Sequence, residues 1–525
     1  MDPKEIRPDL AEAIERRKAT LDEARPEAVT RRHNSGRRTL RENIADLMDP
    51  DRSIEYGGLT LAAQRRRKSM EELIKKSPAD GLVAKIGAVN GELFDSSKTR
   101  CLVLGYDYTV MAGTQGWFNH KKKDRMLELA YKQKLPTILF AEGGGGRPGE
   151  VDMAEVMVAG LELMSFANYA RLSGLVPVVG IVSGYCFAGN AALLGQSDVI
   201  IATRDSYIGM AGPAMIEGAG LGEFRPEEIG PISVQSSNGV VDIVVEDDAE
   251  AVRTAKQYLS YFQGRLPDWE CSDQHQLRHL VPENRRRAYD VRKIIDTLAD
   301  KHSVLELRRE FGEGIITSLV RIEGHPFGLV ANNVFHLAGA VDADDADKFS
   351  RFIQVCDAFD LPLIVLIDTP GFMVGPEAEK TAQVRHFSRI FTNAVNATIP
   401  IFSMVLRKGY GLGAMAMAGG SFHTSNFIVA WPSGEFGGMG LEGAVRLGFK
   451  KELDAIEDPE KRQETYESLV AMHYEHGKAI NMASVLEIDD VIDPAETRHW
   501  IMCGWRAQPE PGIREGKKRP NIDCW

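Results

Sequence analysis

The sequence predicts an α/β chain in which one unit is used twice, each copy built round a sheet buried on both faces. Two observations carry this. Continuous apolar runs of strand length, bounded by Gly or Pro, alternate with longer helical stretches, as parallel strands covered on both sides require. The runs also repeat at a nearly constant offset, the mark of a duplicated unit.

The first strand of the repeat is Lys134 to Gly144 in one half and Asp360 to Gly371 in the other. Each starts at a proline, runs through apolar residues and closes on an acidic residue followed by glycine. The second strand, Val176 to Gly184 and Ile399 to Val405, leads in each half to a Gly-Ala turn: Phe187 to Ala191 and Gly411 to Met415. The offsets are 226 residues for Pro136 and Pro362, 223 for Pro177 and Pro400, and 224 for Gly189 and Gly413. Helical spacing is read in Met153 to Arg171 and Glu379 to Ala394, between the paired strands. It is also read in Asp124 to Leu135 and in two surface helices, Asp9 to Leu21 and Gln64 to Lys75.

These landmarks divide the 525 residues into a helical extension (1–75), a first domain (76–275), a charge-rich interdomain segment (276–310), a second domain (311–505) and an extended tail (506–525). With 43% hydrophobic and 26% charged residues the composition is that of a globular protein. A net charge of −12 argues against nucleic acid as partner, because phosphate binding needs a clustered positive field. The charged start at Met1 to Glu5 reads as no leader, and no apolar run is long enough to span a bilayer. Six scattered cysteines without a CxxC pair read as reduced thiols, so a cytoplasmic chain with no metal is expected.

A strand that runs into a Gly-rich turn and then a helix lets the backbone approach a ligand and presents unsatisfied amide N–H groups to it. Such a turn suits phosphate or a developing oxyanion. Each half has two: Gly143, Gly144, Gly145 and Gly146 with Gly189, Asn190 and Ala191, then Gly371 and Phe372 with Gly411, Leu412, Gly413, Ala414 and Met415. The doubling implies two oxyanion holes and hence two substrates. Other motifs count for less. Gly438 to Gly443 fits GxGxxG but lacks the first βαβ context, and Asp342, Asp344, Asp345 and Asp347 read as a helix cap. No GxxxxGK[ST] or GxSxG occurs. Lys121, Lys122 and Lys123 read as solvated, with Lys123 also a candidate for coenzyme A phosphates. No paired carboxylates or His/Cys nucleophile pair stand out, which suits a base supplied by a substrate.

With these residues in hand, the chain resembles the carboxyltransferase (β) subunit of biotin-dependent acyl-CoA carboxylases, the group of propionyl-CoA and methylcrotonyl-CoA carboxylases. The resemblance rests on Arg321 to Gly324, Ala331 to Asn333, Ala346 to Phe359, Asp368 to Phe372, Arg407 to Gly411, Ala430 to Pro432 and Arg287 to Arg292. It implies two tandem crotonase-like ββα-superhelix domains and ligase/transferase chemistry. It also implies that CO2 passes from carboxybiotin to an acyl-CoA, with biotin as base. Gly189 and Asn190 would then hold the thioester oxygen and Gly413 and Ala414 the biotin oxygen. Gly143, Gly144, Gly145, Ala191, Lys123, Gly371, Phe372, Gly411, Leu412 and Met415 would line the substrates. A hexamer (a dimer of trimers) is implied. So is a separate biotin carboxylase and biotin carboxyl carrier subunit, since no Met-Lys-Met attachment sequence occurs. A decarboxylase subunit and a non-catalytic structural subunit are the alternatives. Asn190 departs from the Gly-Gly-Ala of many relatives, where its side chain can crowd or hydrogen-bond the acyl group. Met415-Ala416-Met417 replaces an Asp of propionyl-type enzymes and hints at a larger acyl chain.

Overall fold

A computed structural model describes residues 6–509, 512 and 515–525. The start at residues 1–5 and part of the expected tail (510, 511, 513 and 514) lie outside the described residues. The chain divides into two compact units, Met1–Gly264 with Pro520–Cys524, and Arg265–Arg519 with Trp525.

The first unit holds a seven-stranded sheet in the order Ser53–Glu55, Leu82–Ala88, Arg100–Tyr106, Thr137–Phe140, Val178–Val182, Val199–Thr203, Ile243–Val245. Its first two pairings are antiparallel and the rest parallel. The second unit repeats this with Leu305–Leu307, Ile315–Ile322, His325–Asn332, Leu363–Thr369, Ile401–Tyr410, Phe427–Ala430 and Asp490–Val491, again two antiparallel pairings followed by parallel ones. A short side pairing recurs too: Tyr185–Phe187 lies parallel to Tyr207–Gly209, and Lys408 to Tyr410 parallel to Glu435–Gly437.

The prolines set the strand starts. Proline has no N–H to give to a ladder, so it sits at a strand's first residue while its carbonyl still accepts. The amides of Leu102 and Gly328 donate to Pro136 and Pro362, and those of Thr137 and Leu363 to Pro177 and Pro400. The central parallel strands are buried along most of their length, and each unit has its own core, around Leu104, Leu139 and Val182 in the first and Val320, Leu366 and Met404 in the second.

Several helices differ from expectation. Met153 to Arg171 forms a helix only over Ser165–Ala170, with Gly160 at positive φ (67°) interrupting the stretch before it. Gln64 to Lys75 is helical only from Met70, where Ser69 and Glu72 form a capping box. The helix expected at Asp124 starts earlier and runs Trp117–Gln133, so Lys121, Lys122 and Lys123 lie inside it. Glu379 to Ala394 is two helices, Pro376–Glu379 and Gln383–Val395, parted at Ala382 with φ 58°. The segment 276–310 packs into the second unit, with Val291, Ile294, Ile295 and Leu298 of the helix Val291–Leu298 in its core. In the tail, Ile522 is buried in the first unit against Ser173, and the Trp525 indole of the second unit donates to Asp347.

Candidate functional site

In the first unit the strand Thr137–Phe140 ends at Glu142, and the four glycines follow. The Gly143 amide donates to the Tyr185 carbonyl (2.7 Å), the Gly144 amide to Ala112 (3.1 Å) and the Gly145 amide to the Asn190 Oδ1 (3.1 Å). The strand Tyr185–Phe187 then leads through Ala188, at φ 50° and ψ −122°, into the helix Gly189–Leu194. The amides of Gly189 and Asn190 open that helix and have no intrahelical acceptor. The Tyr185 carbonyl, four residues before Gly189, is already engaged by Gly143.

The second unit builds the same pair. The Val341 amide donates to Gly371 (3.1 Å) and the Met373 amide to Val341 (2.8 Å), just as Gln115 donates to Gly145 (2.8 Å) and Arg147 to Gln115 (2.8 Å). Gly411, at φ 56°, starts the helix Gly411–Met417. Gly413 lies on the first turn: a Cβ there would stand 2.6 Å from the Gly371 Cα and 3.1 Å from the Phe372 amide nitrogen. Only glycine fits such an approach.

This geometry corrects the expected pairing of Gly189 with Gly413. The left-handed residues that open the helices are Ala188 and Gly411, and the side strands before them pair in the same register. Gly189 and Asn190 therefore match Leu412 and Gly413, and Ala191 matches Ala414. Ala188 occupies a conformation that non-glycine residues adopt at a cost of about 1–3 kcal/mol. Ala188→Gly is accordingly expected to stabilise the first unit by about 1 kcal/mol, read as a raised unfolding midpoint; a lowered midpoint would contradict the strain.

The acidic strand ends are duplicated anchors. Glu142 takes two bonds from Arg32 (2.8 and 2.5 Å), both side chains buried. Asp368 accepts from the Tyr289 hydroxyl (2.8 Å), Arg407 Nε (3.1 Å) and the Lys408 amide (3.2 Å). Each acid's carbonyl also receives a glycine at close range, since a Cβ on Gly113 or Gly339 would stand 2.4 Å from the Glu142 or Asp368 oxygen. The anchoring Arg32 lies 110 residues from Glu142, and no local sequence signal marks it.

Lys123 does not offer itself to coenzyme A phosphates. It is fully buried, and its Nζ donates to the Tyr106 hydroxyl (2.7 Å) and Gln115 Oε1 (3.1 Å). Burial lowers its pKa to about 7. Lys122 is buried too, donating to the carbonyls of Ala79 and Leu82, and of the three lysines only Lys121 is exposed. Helical periodicity turned two of them inward. The Asn190 side chain is likewise wholly buried, bonded to the Gln115 side chain, the Gly145 amide and the carbonyls of Ala141 and Gly113. His120 is held neutral by burial, its pKa lowered to about 3.

Beside the second turn lies a hollow of about 670 Å³, lined by Gly411, Met415, Phe422, Phe436, Met439 and Met482. Of the Met415-Ala416-Met417 run only Met415 reaches it; the other two side chains are in the core. Asp342 and Asp345 form a reciprocal helix cap, and with His336 they bring ligand-type atoms within 4.8 Å of one another. No helix among the described residues is long and apolar enough to cross a membrane.

Comparison with known proteins gives a consistent picture. The carboxyl transferase domain family matches residues 31–519. The methylmalonyl-CoA carboxyltransferase 12S subunit of Propionibacterium freudenreichii subsp. shermanii is 31% identical over 517 residues, covering 94% of this chain and 93% of that one. The solved structure of a single-chain, multi-domain long-chain acyl-CoA carboxylase is 57% identical with a TM-score of 0.90. The match takes in 95% of this chain, which spans only 49% of that protein's length. A transcarboxylase 12S crystal structure, a hexamer with methylmalonyl-coenzyme A and methylmalonic acid bound, is 28% identical with a TM-score of 0.83 and covers 97% of both chains. The doubled crotonase-like architecture, the paired glycine turns and these matches together establish that the chain belongs to the carboxyl transferase domain family.

Proposed function

We propose that this chain is the carboxyltransferase component of a biotin-dependent acyl-CoA carboxylase, with a long-chain acyl-CoA as substrate. In this reading the first domain (76–275) holds the thioester oxygen at the amides of Gly189 and Asn190. The second (311–505) holds the biotin oxygen at the amides that open the helix Gly411–Met417, those of Leu412, Gly413 and Ala414. The observation that carries the reading is the duplicated pair of turns, present in both units with two matched backbone hydrogen bonds.

Carboxybiotin, when delivered on its carrier, supplies the carboxyl group and the base for the α-proton. The chain's own task is to hold two oxygens while negative charge moves between them. Preorganised amide donors suit this, because they need no reorganisation when charge develops, and removing one such donor costs about 10²–10³ in rate. The 57% identity to a long-chain acyl-CoA carboxylase supports the long acyl chain. The 12S hexamer supports a hexameric assembly, a dimer of trimers, working with a biotin carboxylase and a biotin carboxyl carrier.

The test is reconstitution with a biotin carboxylase, biotinylated carrier, ATP and labelled bicarbonate over acyl-CoAs from acetyl to palmitoyl. Label is expected in the long-chain esters ahead of the short ones. Failure to label any ester, with the chain folded, would sink the proposal.

A further inference from the structure

Beneath the first unit's turn, three buried side chains form one hydrogen-bonded relay. Lys123 Nζ donates to Gln115 Oε1 (3.1 Å), and Gln115 Nε2 donates to Asn190 Oδ1 (3.1 Å). That same oxygen accepts the Gly145 amide (3.1 Å), while Asn190 Nδ2 donates to the carbonyls of Ala141 (3.2 Å) and Gly113 (3.3 Å). Lys123 and Asn190 are 0% exposed and Gln115 is 4%. A Cβ on Gly189 would stand 3.2 Å from the Gln115 amide nitrogen, so the relay passes directly under the residue that opens the helix.

The second unit serves as an internal control. The matched backbone bonds equate Gln115 with Val341, an offset of 226 that also carries Lys123 onto Phe349. Asn190 equates with Gly413. The second unit therefore builds the same pair of turns with Val341, Phe349 and Gly413, and the fold has no need of a polar set at these positions. Burying an ammonium group is costly even when it is hydrogen-bonded. Three coordinated polar replacements at one turn and not at its twin point to a role in what that turn binds.

We propose that Lys123, acting through Gln115 and Asn190, is a positioning residue that holds a positive charge under the thioester hole and stabilises negative charge developing on the substrate oxygen. The inference rests on the reading of Gly189 and Asn190 as that hole. In water-poor surroundings a charge relayed through two buried side chains is weakly screened.

Several titratable groups near Lys123 are neutral, and Asp124 offsets its charge. Tyr106 on its strand, Tyr169 on the helix Ser165–Ala170 and Cys186 on the strand Tyr185–Phe187 are all pushed up by burial and stay neutral. His120, one turn earlier, is neutral as well. Asp124, on the same helix, is the acid whose charge opposes that of Lys123. Burial lowers Lys123 to about 7. The charge is therefore present below that pH and lost as pH rises through it.

The experiment is the pH dependence of kcat for acyl-CoA carboxylation by the reconstituted complex carrying unaltered chain, Lys123→Met, or the apolar pair Gln115→Val with Lys123→Met. Gel filtration and thermal melting check assembly, and the pair, apolar at both positions as Val341 and Phe349 are in the second unit, covers a single variant that fails to fold. The ratio of unaltered to variant kcat is expected to be about tenfold near pH 6 and to fall towards unity near pH 9, with KM for the acyl-CoA little changed. A ratio of one throughout, or an equal loss at every pH, would overturn the positioning role. Absence of transfer by the unaltered chain to any acyl-CoA would instead remove the parent reading, and this inference with it.

Discussion

Gly413→Ala is expected to lower carboxyl transfer about a hundredfold or more while leaving CoA-ester binding unchanged. The added methyl would stand 2.6 Å from the Gly371 Cα and 2.7 Å from its carbonyl carbon, both backbone atoms that cannot swing aside. The two turns must then separate, and the amides they aim at one oxygen diverge. Gly448→Ala is the matched control, because a Cβ there meets nothing within 4 Å. Steady-state kinetics on both variants, with unfolding midpoints, reads the difference. Wild-type rates for Gly413→Ala would show that the two turns need not touch.

Arg32→Ala should destabilise the first unit by about 3–5 kcal/mol, the range for removing one partner of a buried ion pair. Arg32 and Glu142 are 9% and 7% exposed, and each carboxylate oxygen takes one guanidinium nitrogen. Removing the cation strands a buried carboxylate at the end of the strand that positions Gly143. Replacing both residues by Met should recover most of the loss, since no charge is then left unpaired. Two units need not unfold together, so hydrogen exchange over Thr137–Phe140 is the better readout than a single global midpoint. A loss below about 1 kcal/mol for the single variant would show that water reaches the site.

Two strands of each sheet were legible because their signals are local: a proline before the strand, an apolar run and, for the first of them, an acid and a glycine that end it. Repetition then set each of these two against its twin. The site was legible in part for the same reason. What could not be read were pairings that only the fold creates. Arg32 reaches Glu142 across 110 residues, and nothing around Arg32 announces it. Lys122 and Lys123 read as solvated because a charge run normally is, yet the register of the helix Trp117–Gln133 turns them inward. Gln115 carries a signal of its own in the sequence. The offset of 226 sets it against Val341, and a polar residue opposite an apolar one in a duplicated core invites a question. The one-residue shift between Gly189 and Gly413 arose because Ala188 takes the left-handed conformation that sequence assigns to glycine.

Carboxyl exchange without any partner protein tests the two-hole mechanism most directly. The purified chain is incubated with free biotin and a carboxyl-labelled 2-carboxyacyl-CoA, and label in carboxybiotin is counted. The unaltered chain should transfer label to biotin, Gly413→Ala should not, and Gly448→Ala should match the unaltered chain. A folded, CoA-ester-binding chain that moves no label, or a Gly413→Ala variant that moves it at the full rate, would contradict a pair of glycine turns working on two oxygens.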